Sequence, residues 1–209
     1  AQGGSVVKAL LLDSSYAVRA VTRDVSKPAA VKLKEAGAEV VAADMNDEKS
    51  LKSAFSGAYG AFVVTNFFDH FSKEKEFEQG KRIADICKLQ GLKHVVFSGL
   101  ENVHKLTGGK LKVLHFDGKG EVEEYFRQIK VPMTSTRLAF YFENYLTSCR
   151  PKKCPDGKTY QLGADEMANM FRFYHMRPDR NVELTHKLNP DLKTFKQFMV
   201  SKKDTFKDL

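Results

Sequence analysis

No apolar run in this 209-residue chain approaches the ~18 residues that cross a bilayer. A secretory apolar core near the start and a tail suited to lipid anchoring are also missing, so no membrane partner is expected. Cysteine is scarce. Cys87, Cys149 and Cys154 have no metal-ligand spacing and leave one over after any pairing. That argues against a disulfide framework and against a metal site, and the expected state is reduced thiols in the cytoplasm or, alternatively, the nucleus. There are no internal repeats and no low-complexity linkers. No stretch interleaves aromatic rings with arginines as a single-strand nucleic-acid platform would.

What is present is a globular composition, 42% hydrophobic, with a formal charge of +8. The lysines are scattered, and the densest pairs, Lys152-Lys153 and Lys202-Lys203, fall in expected loop or tail. An ordinary solvated surface plus one anionic ligand site accounts for this balance better than a nucleic-acid surface, so direct nucleic-acid binding is disfavoured.

Along the chain, short apolar runs alternate with helical patterns. Strands are expected over 16–23, 38–45, 60–67, 93–99 and 131–138, and helices over 29–38, 47–57, 72–91 and 117–129. The run "GAFVVTNF" is apolar on both faces, as buried parallel strands are. The alternation predicts an α/β, doubly wound (Rossmann-like) parallel sheet with helices on both faces. After Tyr145 the pattern weakens into a loop and a small, partly helical segment. The expected division is a nucleotide-binding domain over 1–148 and a reduced C-terminal lobe over 149–209.

The chain opens "AQGGSVVKALL". In a dinucleotide-binding fold a strand feeds a glycine loop, and the loop opens a helix whose N–H groups receive the pyrophosphate. Gly3, Gly4 and Ser5 open such a helix here, without the strand and leading glycines before them. The next strand ends "VTRD". An NAD site would place an acidic residue there for the ribose 2′-hydroxyl, whereas Arg23 suits a 2′-phosphate, with Lys27 as a second cation. The expected cofactor is therefore NADP(H). Ligands of such sheets sit outside the carboxyl ends of the strands. Asp44, Met45, Asn46 and Asp47 are thus candidates near adenine, Thr65, Asn66 and Phe67 near the nicotinamide ribose, and Ser98-Gly99 at the next strand end. Each of these also has a plain turn or cap explanation.

Taken together, "VTRD", "GAEVVAAD", "GAYGAFVVTNF", "VVFSGLENV", "HFDGKGEVEEYF", "VPMTSTRL" and "YFEN" resemble the NmrA-like family, atypical extended relatives of the short-chain dehydrogenases. The likeness covers nearly all of 1–162 and resumes over about 163–209 with "MANMFRFYHMRPDRNVELT". It implies an NADP(H)-binding redox sensor or transcriptional regulator acting through cofactor-dependent contact with a regulatory protein, with a homodimer as an alternative. By this resemblance Gly3 keeps the last glycine of the family's loop and Arg23 is the 2′-phosphate arginine. Thr65, Asn66 and Phe67 form a cofactor wall, Lys119 is the family lysine, and Tyr141, Phe142, Glu143 and Asn144 form a cofactor-side loop. Two departures stand out. The family's first strand is absent, and "YQLGADEMANMF" joins what the family separates. The resemblance therefore implies a shortened chain, whether isoform, fragment or decayed duplicate.

Catalysis is the weaker expectation. A short-chain dehydrogenase uses Ser, Tyr and Lys, with the tyrosine four residues before the lysine. Ser98 and Lys119 are present, but His115 stands where the tyrosine would be. Without its central strand the sheet is expected either to close up or to be gapped, leaving two edges of unpaired backbone groups. Impaired NADP(H) binding follows from that. An NADPH-dependent quinone or carbonyl reductase and an inactive remnant are the alternative readings.

Overall fold

The computed structural model describes residues 2–147, 149–161 and 165–206. They form two compact units: Ala1–Gly109 with Leu114–Arg137, and Lys110–Val113 with Leu138–Leu209. In chain order the first unit runs α1 (Gln2–Asp13), β1 (Arg19–Thr22), α2 (Pro28–Glu35), β2 (Glu39–Ala42), α3 (Glu48–Phe55), β3 (Gly60–Val63), α4 (Lys73–Leu89), β4 (His94–Gly99), α5 (Val103–Leu106), α6 (Leu114–Gln128) and β5 (Met133–Arg137).

All sheet pairing in this unit is parallel, but it falls into two groups. β1 pairs with β2, and β3, β4 and β5 follow in that order. Among the described residues no ladder joins β1 to β3. The sheet is gapped rather than closed up, the second of the two outcomes expected from the sequence. The α/β class and parallel arrangement are as expected.

Alternation along β2 shows how helices cover both faces of its pair. Val40 packs with Val7 and Leu11 of α1, Leu33 of α2 and Ala20. Its neighbour Val41 packs into the larger core with Leu51 and Ala54 of α3, Ile83 and Cys87 of α4, and Phe126 of α6. Arg19 fastens the two-stranded group to α3. It meets Glu39 Oε2 at 2.7 Å and donates to the carbonyls of Ala54 and Ser56 at 3.0 and 2.9 Å, groups that a helix end leaves without partners.

β4 is the most deeply buried strand, with Val95 and Phe97 fully covered and the Phe97 ring 5.5 Å from that of Phe126. The end of β5 is pinned to α6 through the buried carboxylate of Glu123. It accepts from Ser135 Oγ at 2.5 Å, from Arg137 at 2.6 Å, and from Arg127. The carboxyl is held below its ordinary range against the opposing push of burial, because Arg137 and Ser135 donate to it and both arginines attract it.

The second unit holds a two-stranded antiparallel pair, β6 (Lys152–Lys153) with β7 (Tyr160–Gln161), then α7 (Asp165–His175), α8 (Val182–Leu188) and α9 (Phe195–Ser201). Aromatic rings assemble its core: Phe140 lies 5.4 Å from Phe171, and Phe142 lies 5.3 and 5.4 Å from Phe195 and Phe198. No described helix is long and apolar enough to cross a membrane.

Candidate functional site

The carboxyl end of β3 runs into Thr65, Asn66 and a 3-10 turn, Phe67–Asp69. Thr65 is buried, and its carbonyl and hydroxyl oxygens each accept from Lys119 Nζ at 2.7 Å. The hydroxyl in turn donates to Glu76 Oε1 at 2.6 Å, and the same carboxylate oxygen lies 2.7 Å from the ammonium. An ammonium has three hydrogens, and the three acceptors here are Thr65 O, Thr65 Oγ1 and Glu76 Oε1. Every donor of Lys119 is therefore committed inside the protein.

The pair is buried. Glu76 has no exposure and the Lys119 side chain 11%. Burial pushes the Lys119 ammonium below its ordinary value, and the Glu76 carboxylate beside it pulls the other way. The helices can bring these charges together because Gly118 has no side chain. A Cβ there would crowd Glu76 Cγ at 3.0 Å and the Lys73 carbonyl at 3.3 Å.

An aromatic group is built on the turn that follows Thr65. Phe67 is buried, with its ring edge-on to Phe68 at 5.7 Å, to Phe71 at 6.0 Å and to His70 at 6.1 Å. His115, on the first turn of α6, stands 5.6 Å from Phe68 and 6.0 Å from Phe67. Phe68 and Phe71 are largely exposed. Phe71 also takes a left-handed φ of 53°, a costly conformation for a bulky side chain.

The other expected residues divide into three groups. Arg23 lies just after β1, exposed, with Nη2 3.0 Å from Asp69 Oδ2. Asn66 Nδ2 donates to the other oxygen of that carboxylate at 2.7 Å. Asp69 thus links the expected 2′-phosphate residue to the expected cofactor wall. Lys27 is exposed at the N-cap of α2.

The second group is occupied with local structure. Asp44 accepts from the Asn46 amide at 2.7 Å in a tight turn, and Asp47 caps α3 by accepting from the Lys49 amide at 3.0 Å. That turn is held to α4 by Arg82, which donates to the Met45 carbonyl at 2.6 Å, and by Gln79, which donates to Asn46. Ser98 is buried in β4. Gly3 and Gly4 lie within α1, half-buried, and a Cβ at either would meet nothing within 4 Å. Packing therefore does not require glycine there, and the backbone is left approachable.

The third group, Tyr141, Phe142, Glu143 and Asn144, belongs to the second unit. Tyr141 precedes a 3-10 turn, Phe142–Leu146, and the Asn144 carbonyl accepts from the Cys149 amide at 2.8 Å.

Glu76, His70 and Asp69 were not among the sequence candidates. Glu76 did leave a signal: it shares a helical face with Gly80, Ile83 and Cys87, all buried, so a carboxylate occupies a core position. His70 and Asp69 lie in a turn, where no periodicity marks them.

The comparisons agree with this architecture. The model of the NmrA-like family matches residues 1–176. The NmrA-like family domain-containing oxidoreductase FrzB of Cladobotryum sp is 35% identical over 193 residues, which cover 90% of this chain and 52% of FrzB. NmrA-like family domain-containing protein 1 of Rattus norvegicus is 35% identical over 186 residues, covering 88% of this chain and 80% of the rat protein. Among solved structures, NmrA, a negative transcriptional regulator, in complex with NADP, superposes with a TM-score of 0.63 at 24% identity, covering 77% of this chain and 50% of that one. The chain thus spans about half the length of FrzB and of NmrA. Over most of its residues, and on both the sequence and the fold, this chain belongs to the NmrA-like family.

Proposed function

We propose that the chain is an NADP(H)-binding regulator of the redox-sensor type, which acts by cofactor-dependent contact with a regulatory protein in the cytoplasm or the nucleus. The observation that carries the reading is Arg23. It is an exposed guanidinium at the carboxyl end of β1, which suits a ribose 2′-phosphate, and the carboxylate of Asp69 holds it. The chain's residues fit the cofactor. Arg23 and Lys27 would take the 2′-phosphate, the open backbone at Gly3 and Gly4 the pyrophosphate, and Asn66 and Phe67 the nicotinamide end. When bound, NADPH supplies a hydride, and NADP lacks it. The protein's part is to tell the two forms apart.

The missing ladder between β1 and β3 among the described residues supports weak binding, because the apolar face of α1 rests on the two-stranded group alone in its core cluster, with Val7 and Leu11 packed among Ala20, Leu33 and Val40. The test is thermal melting with NADPH and with NADH as control. A cooperative melt raised by NADPH alone is the expected result, because only native-state binding moves the midpoint. Equal shifts with NADH, or none, would defeat the reading.

A second reading is favoured by one observation: His115 stands one turn before Lys119 on α6, with its ring 5.6 Å from the exposed ring of Phe68. It makes the chain an NADPH-dependent reductase of a quinone or similar carbonyl, in line with the oxidoreductase name of FrzB. NADPH consumption with a quinone panel, lost in His115→Phe, would decide for it.

A further inference from the structure

Only one of the two oxygens of the wholly buried Glu76 carboxylate is in use. Oε1 takes the Lys119 ammonium and the Thr65 hydroxyl. Oε2 has no hydrogen bond and faces His70 Nε2 at 3.6 Å, and that nitrogen also lacks a partner. The His70 side chain is itself only 8% exposed. Its other nitrogen, Nδ1, receives the Ser72 amide at 3.1 Å. An amide can only donate, so Nδ1 carries a lone pair and the ring proton sits on Nε2. A buried donor is thus aimed at a buried, bare acceptor, and a small side-chain rotation brings them into bonding range.

The groups around this chain of contacts are otherwise engaged. Glu76 is the charge that faces Lys119 from α4. On α6 itself, Glu121 is paired with Lys73 of α4 at 2.7 Å, Asp117 accepts from the His104 amide at 2.9 Å, Glu123 is held by Arg127 and Arg137, and the His115 ring lies against Phe67, Phe68 and Phe116. Around His70 the neighbouring ring is Phe67, 6.1 Å away.

We propose that His70 and Glu76 are the positioning residues of this site: His70 closes on Glu76 Oε2 through its Nε2–H, and the carboxylate so held keeps Lys119 an ammonium aimed at Thr65. The count of hydrogens gives the arrangement its consequence. A neutral amine has two hydrogens for three acceptors, and the charged carboxylate is the strongest of the three, so deprotonation of Lys119 releases the carbonyl or the hydroxyl of Thr65 before it releases Glu76. That residue ends the β3 wall. Lys119 then acts on a ligand through the placement of Thr65, with no donor of its own left to reach it. The effect on cofactor affinity rests on the NADP(H) reading, whereas the ionisation of Lys119 does not.

The test uses the full chain, isotopically labelled in lysine and histidine, with the Lys119 and His70 resonances assigned. In the unmodified chain Lys119 is an ammonium at neutral pH, and His70 is the Nε2–H tautomer. Glu76→Gln lowers the Lys119 titration midpoint by roughly one unit or more, about tenfold in proton affinity. His70→Gln, which keeps an N–H donor, preserves the midpoint, and His70→Leu lowers it. An unchanged midpoint in Glu76→Gln overturns the proposal. So does an Nδ1–H or imidazolium form of His70 at neutral pH, which is read on the unmodified chain even if Glu76→Gln does not fold. NADPH titrated into the same samples separates the two claims. No binding in the unmodified chain defeats the NADP(H) reading alone. Binding weakened by His70→Leu and restored by His70→Gln supports the link to the ligand, and equal binding in all three overturns that link.

Discussion

Arg23 Nη2 stands 3.0 Å from Asp69 Oδ2, so the cation at the end of β1 is held by a carboxylate from the turn that follows β3. Both side chains are well exposed, at 62% and 43%, and a pair of that kind is worth at most about 1 kcal/mol. A 2′-phosphate and Asp69 would compete for the same guanidinium. Asp69→Asn should therefore raise NADPH affinity, by up to about fivefold, and leave NADH affinity unchanged. Arg23→Ala should remove the preference between the two cofactors. Calorimetric titration of each variant with both nucleotides checks this. A drop in NADPH affinity for Asp69→Asn would mean that the carboxylate helps the ligand rather than opposing it.

The buried pair of Glu76 and Lys119 predicts a different pattern. Removing one partner leaves an uncompensated buried charge, so Lys119→Met should cost roughly 3–5 kcal/mol of stability. Replacing both, as Glu76→Gln with Lys119→Met, should recover a large part of that loss, because no lone charge remains. Urea unfolding of the two single variants and the double variant measures it. A cost below about 1 kcal/mol for Lys119→Met would show that water reaches the carboxylate once the lysine is gone.

These two pairs also mark what the sequence made legible. Arg23 and Lys119 were both readable, the first from its place after a glycine-helix-strand unit and the second from the family likeness. Their partners were not. Asp69 is brought to Arg23 by the way the turn after β3 folds back, and contact across 46 positions leaves no local pattern. Glu76 was readable in principle, since it interrupts the apolar face of α4, but partner and geometry depend on the close approach of α6 at Gly118. The five parallel strands were legible because short apolar runs alternated with helices. The gap between β1 and β3 was one of two outcomes left open by the missing central strand, and the sequence did not choose between them. The short helices α7, α8 and α9 were legible only as a partly helical tail. They are 11, 7 and 7 residues long, and one of them, α8, has no buried residue among those described to give it a strong period.

Cys87 should be inert while the protein is folded. It is fully buried on α4, and that burial pushes its thiol up to about 12 from an ordinary value of 9.0. Cys149 and Cys154, half-buried, should react with a thiol reagent at neutral pH, and Cys87 only after denaturant is added. The alkaline limit follows with a definite sign. Because the folded value lies above the unfolded one, the contribution is complete below about pH 9 and is lost as pH rises toward about 12. Lys119, whose value is lowered, acts in the opposite sense as pH rises toward its ordinary value of 10.5. The measurement is therefore the difference between the unmodified chain and Cys87→Ala across alkaline pH, which cancels the lysine. A difference that does not narrow as pH rises would show that the thiol ionises as easily in the folded chain as in the unfolded one.

Gly80 and Val122 set how closely α4 and α6 pack. A Cβ at Gly80 would run into both methyls of Val122 and meet its Cβ at 3.0 Å, and Val122 is fully buried. The clash falls on a short branched side chain in a packed core, which has little room to turn aside. Alanine at Gly80 would ordinarily help a helix by up to about 1 kcal/mol. Overpacking should outweigh that, so Gly80→Ala is expected to destabilise by roughly 1–3 kcal/mol. Val122→Ala alone leaves a cavity and should cost about 2 kcal/mol. In the double variant the new methyl enters the space that valine vacated, and the two losses should partly cancel, with a coupling of about 1 kcal/mol or more. Urea unfolding of the four proteins closes the cycle. The same contact lies one helical turn from Glu76, so the double variant should also keep the buried Lys119 ammonium, whereas Gly80→Ala alone pushes α6 away and should lower the Lys119 titration midpoint. Additive losses with an unchanged lysine would mean that the helices slide to admit the methyl and that the charge pair travels with them.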